Sequence, residues 1–116
     1  MVAKELRKLC MSLPAATETI QWGDDRVFKI GGKMFACSGL EADSMFSFKV
    51  DADRFLELTD ISGIEPAPYL ARAKWIQIDP ACCQLPDKEL ENLVRNSYAM
   101  VFGKLPKKTQ KLLKAD

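Results

Sequence analysis

An α+β fold, an antiparallel sheet packed against helices in two layers, is what this sequence predicts, on three observations. Val27 to Val50 contains two β-type runs, VFKI and KMFACSGL, joined by Gly31-Gly32. A Gly-Gly pair between such runs marks a hairpin, because a primed two-residue turn needs positive φ at its centre. A third run, SMFSFKV, follows at the spacing of a meander, and the flanking segments repeat their apolar residues at helical intervals instead. The 116 residues, 47% of them apolar, suit one domain with one core.

Taken in order, Val2 to Leu13 reads as a helix. Leu6, Leu9, Cys10 and Leu13 fall on one face and leave Lys4, Glu5, Arg7 and Lys8 to water. Pro14 ends it, since the residue before a proline avoids the α region. Ala15 to Trp22 is an extended lead-in, and Gly23-Asp24-Asp25 a turn. In the third strand Phe46, Phe48 and Val50 share one side, and Met45, Ser47 and Lys49 the other. One face is therefore apolar and one mixed, as in a sheet covered on one side. Asp51 is placed to cap a short helix that turns Phe55, Leu56 and Leu58 inward. Ile61 to Pro68 reads as a loop, and Tyr69 to Ala73 as one helical turn. Lys74 to Asp79 is a strand with Trp75 and Gln77 on one side, and a short further strand is expected around Cys83 to Leu85. Asp87 caps the longest helix. Its stripe of Leu90, Leu93, Val94, Ser97, Tyr98, Val101 and Phe102 ends at Gly103 in the position after the helix. Ser97-Tyr98 is read as packing with a local hydrogen bond. Pro106 opens a last helix with Leu112 and Leu113 able to dock. The order is α-β-β-β-α-β-β-α, in a single domain over residues 1–116.

Composition narrows the chemistry. No apolar run approaches the ~18–20 residues that cross a bilayer, and the amphipathic start does not look like a secretion signal. A cytoplasmic protein with no membrane contact is expected. Net charge is +1 with no histidine. The charge is uneven: Lys104 to Asp116 holds five lysines and one acid, while Asp51 to Gly103 holds nine acids and five bases. Cys10, Cys37, Cys82 and Cys83 form no C-x-x-C pair, so a metal site is not expected. They read as reduced apolar filler, with the adjacent Cys82 and Cys83 the pair to test for reactivity. Asp24-Asp25 is explained by a turn. Without a histidine base, a phosphate loop or a nucleophile elbow, no enzyme and no cofactor are expected.

Several fragments occur in a particular order: Trp22-Gly23, then Gly-Gly-Lys-Met-Phe-Ala at 31–36, Phe48-Lys49-Val50-Asp51, Pro68-Tyr69-Leu70, Lys74-Trp75-Ile76, Ser97-Tyr98, and Leu105-Pro106-Lys107-Lys108. Together, over about Leu6 to Leu113, they resemble the MmcQ/YjbR family. The resemblance implies a two-layer fold of the CyaY-like and secretion-chaperone-like kind, and DNA binding through β wings.

Two functional surfaces are then in view. The first is cationic: Lys29, Lys33, Lys49, Arg72, Lys74, Lys107 and Lys108 lie near strand ends and in the basic tail, where they could neutralise the phosphates of double-stranded DNA. The second is the mixed sheet face with Trp22, Met45, Tyr69 and Trp75. If no helix covers it, this face would bind a peptide or small ligand, or pair a weak homodimer in place of the monomer. Against both stands the plainer reading that lysines on turns are solvated and that the tryptophans pack.

Overall fold

The computed structural model describes residues 1–114. Helix α1, Ala3–Ser12, buries Ala3, Leu6 and Cys10 and starts with the Val2 amide donating to Glu5 Oε1 at 2.9 Å. Strands β1, Thr17–Gln21, and β2, Asp25–Ile30, form a first hairpin. Gly31 and Gly32, at φ +59° and +81°, turn the chain from β2 into β3, Lys33–Gly39. β4 is Phe46–Lys49. A 3-10 turn at Ala52–Arg54 leads into α2, Phe55–Thr59, and then β5, Ile64–Pro66. A second 3-10 turn, Ala71–Ala73, precedes β6, Trp75–Ile78. The last described elements are α3, Asp87–Gly103, and α4, Lys107–Lys114.

Among the described residues six strands form one sheet in the order β1-β2-β3-β4-β6-β5, every neighbouring pair antiparallel. Register shifts between Phe28 and Lys29, so that Phe35 is the extra residue of a β-bulge. One row across the sheet runs Phe28, Ala36, Phe48, Ile76, and all four are fully buried. This is the helix-covered face. Leu6 and Cys10 of α1, Phe55 and Leu58 of α2 and Leu90, Leu93 and Val94 of α3 join it in one core cluster, with Leu105 and Leu113 closing one end. The next parity row, Thr19, Val27, Cys37, Ser47, Gln77 and Glu65, lies on the opposite face, where no helix packs among the described residues.

The α+β class and the meander stand as predicted. Several local details differ. The lead-in before Trp22 pairs as β1, and the segment expected as a loop contains β5. No strand forms at Cys83 to Leu85: the Cys82 and Cys83 amides both donate to the Asp79 carbonyl, which makes a turn. Asp51 does not cap; its carboxylate instead accepts from the Asn96 amide at 3.0 Å. Leu56 is 80% exposed, on the outer side of its short helix. Asp87 is the first residue of α3 and takes the chain's terminal ammonium. Gly103 is the last residue of that helix, with Lys104 following as its cap. Leu112 faces water, whereas Leu113 docks.

Candidate functional site

The open face of the sheet holds a groove of about 690 Å3. Its floor is the polar row Cys37, Ser47 and Gln77, from three neighbouring strands. Met34 and Met45 flank that row, and the Gln77 amide donates to Met45 Sδ at 3.0 Å. One wall is Trp22, with Asp25 beside it; the other is the segment Ala67, Pro68, Tyr69 and Leu70. Trp22 is 65% exposed and Tyr69 fully exposed. Both are at positive φ, +52° and +64°. Burial, and secondarily the Asp25 carboxylate, push the Cys37 thiol up to about 11, so it stays protonated near neutrality.

Three of the four residues expected on this surface, Trp22, Met45 and Tyr69, do meet in the groove. Trp75 does not line it. It shares the face by parity, but it is 4% exposed, packed where Ala67 and Leu70 hydrogen-bond to its backbone at 3.0 and 3.2 Å. The Tyr69 segment therefore closes one end of the open face; along the rest of it Val27 is fully buried and Ser47 nearly so, beneath the residues that line the groove. Sequence reasoning missed Asp25, Met34, Cys37 and Gln77. Strand parity could have found Cys37 and Gln77, because each alternates with a core residue.

The cationic residues collect at one end of the sheet. Lys33 follows the Gly31-Gly32 turn, and Lys29 is one pair further from it. Antiparallel pairing brings Lys49 to that same end, opposite Trp75. The Lys49 ammonium donates to the Ala73 carbonyl at 2.5 Å, which places Arg72 and Lys74 beside it. Gly31 lies against Leu105, so Lys104, Lys107 and Lys108 belong to the same end. Burial, and then the charge of Lys104, hold the Lys49 ammonium below the ordinary lysine range. Lys74 lies 5.1 Å over the Phe55 ring. Among the described residues none of the seven expected cations forms an ion pair. The acids Asp24, Asp25, Glu41, Asp43 and Asp79 stand at the opposite end, while Asp51 and Asp53 are the acids that follow Lys49.

Other chemistries find less. Among the described residues no three histidine, cysteine or acidic side chains cluster as metal ligands. No helix there is long and apolar enough to cross a membrane. Cys82 is exposed; desolvation and then Asp79 raise its thiol, which opposes thiolate reactivity.

Comparison with solved structures finds the same architecture. A Deinococcus radiodurans protein, DR2400, with the DUF419 domain, is 29% identical with a TM-score of 0.84, over 97% of this chain and 88% of that one. A Pseudomonas syringae protein is 20% identical with a TM-score of 0.71, over 87% of this chain and 99% of that one, and shares the fold. No curated protein matches. The YjbR family model matches residues 11–100, from the end of α1 to the last turn of α3 and across the whole sheet, and the chain belongs to the YjbR family.

Proposed function

We propose that this YjbR domain works by binding, not catalysis, and that its cationic end binds DNA through the phosphate backbone. The observation that carries this reading is the gathering of Lys29, Lys33, Lys49, Arg72, Lys74, Lys107 and Lys108 at one end of the sheet with no carboxylate paired to any of them among the described residues. Exposed turn lysines can each displace counterions from a phosphate chain. The lack of any histidine supports a non-catalytic role.

A salt titration with a short duplex tests this. Affinity falls steeply with salt, and Lys33→Glu with Lys107→Glu and Lys108→Glu flattens the slope by about one for each phosphate left without its lysine. Absence of binding at ~50 mM salt overturns the reading.

The groove favours a second reading, a module for a compact ligand or peptide, because about 690 Å3 between Trp22 and Tyr69 suits such a guest. Here a thermal-shift screen would give a hit that Met45→Ala or Tyr69→Ala removes, and a sizing column would separate monomer from weak dimer.

A further inference from the structure

The groove and the cationic end adjoin. Lys29 is the cross-strand partner of Met34, which lines the groove. Lys49 lies two residues beyond Ser47 on the same side of β4, and Ser47 forms the floor. A phosphate chain held at the cationic end thus has its neighbouring unit over a groove with apolar walls and a polar floor, whose charged lining residue among those described, Asp25, stands at the far end.

The two aromatic rings at that trough sit on backbone that side chains avoid. Leu70 N–H donates to Ala67 O at 3.1 Å and closes a turn with Pro68 and Tyr69 at its centre. Pro68 fits the first central position, but the second needs positive φ and normally takes glycine or asparagine. Trp22 occupies comparable backbone immediately before Gly23. Left-handed backbone disfavours any residue with a Cβ. Core packing would offset that penalty for a buried ring, yet these two rings are largely in water. Ala15 and Lys74 take the same left-handed backbone, at φ +60° and +64°; what sets Trp22 and Tyr69 apart is that both are exposed and both line the groove. Beneath them Gln77, whose amide nitrogen donates to Met45 Sδ, presents its side-chain oxygen to the edge of a nucleobase, beside the nearly buried Ser47 hydroxyl.

We infer that the groove receives an unstacked base of a single strand against Tyr69, which stands at the Lys49 end, with Trp22 as the far wall, while Lys29 and Lys49 hold the adjoining phosphates. The inference rests on the nucleic-acid reading of the cationic end and makes it specific: single strands are preferred to duplex, whose bases already stack on one another.

The test uses three labelled probes: an oligothymidylate of about 12 nucleotides, an abasic strand of equal length, and a duplex. Anisotropy gives affinity and tryptophan emission reports the groove, because Trp22 is exposed and Trp75 buried. The base-bearing strand binds about tenfold more tightly than the abasic one and quenches emission. Trp22→Gly and Tyr69→Gly, which relieve the backbone strain and so leave melting unharmed, erase that preference but keep the salt slope. Equal affinity for the thymidylate and abasic strands, measured on the unmodified chain, overturns the groove while sparing the cationic end. So does preference for duplex. Failure to bind all three at ~50 mM salt overturns the cationic end, and the groove proposal with it.

Discussion

Ser97 shows how one side chain can set the geometry of several elements. Its fully buried hydroxyl donates to the Phe35 carbonyl at 2.7 Å and accepts from the Lys49 amide at 3.1 Å. It pins α3 onto the bulge of β3 and the end of β4. The sequence suggests a local bond, because a helical serine usually finds a carbonyl in its own turn; the actual partners are distant in the chain. Ser97→Ala leaves both backbone groups without this partner, and urea melts are expected to show a loss of about 1–3 kcal/mol. Glu18 offers a pH handle. Arg7 donates to it at 2.7 and 2.9 Å and Arg26 at 3.3 Å, and the Arg7 hydrogen bond leads the causes that hold its carboxyl below the usual 4.5. A carboxyl depressed by folding stabilises the native state above its unfolded pKa, and that stabilisation fades as pH falls through the folded pKa. Glu18→Gln is therefore expected to lose about 1 kcal/mol near neutrality, with the two proteins converging in acid, measured by denaturation across pH.

The most legible elements were those whose local chemistry and tertiary role agree. Gly31-Gly32 announced the β2–β3 hairpin, and the glycines do take positive φ there. A Cβ on Gly31 would also lie 2.6 Å from Leu105 Cδ1. Gly31→Ala is expected to cost about 1–3 kcal/mol through both effects, seen as a lower melting temperature. Gly63 is under tighter constraint, since a Cβ there would overlap the Cys83 backbone. The missed strands are both sheet edges. In β1, TETIQ is mostly exposed and lacks an apolar alternation, so pairing with β2 defines it rather than its own pattern. β5 is three residues ending in proline and is held by β6. Leu56 faces water because its helix is barely more than one turn and can bury only one side.

For the whole molecule, the groove could be read in part. Parity along the third strand showed that one face was mixed and that Met45 belonged to it. The meeting of Trp22 with Tyr69 follows from strand order, which brings the first turn and the β5–β6 segment to opposite walls of one trough, and no local pattern encodes it. Overall charge was equally uninformative: +1 conceals the seven expected cations gathered at the Gly31-Gly32 end, with Asp51 and Asp53 following Lys49 there, while Lys4, Arg7 and Arg26 stand with Glu41 at the other end. If the proposed reading holds, an unpaired cationic patch of this kind speeds encounter with a polyanion through its local field, whatever the net charge. The same patch acts between copies. In dilute buffer at high protein concentration, head-to-tail files of molecules are expected to raise the light-scattering mass, and added salt to disperse them as the Debye length contracts. Association through the apolar trough would respond in the opposite sense, tightening in kosmotropic salt.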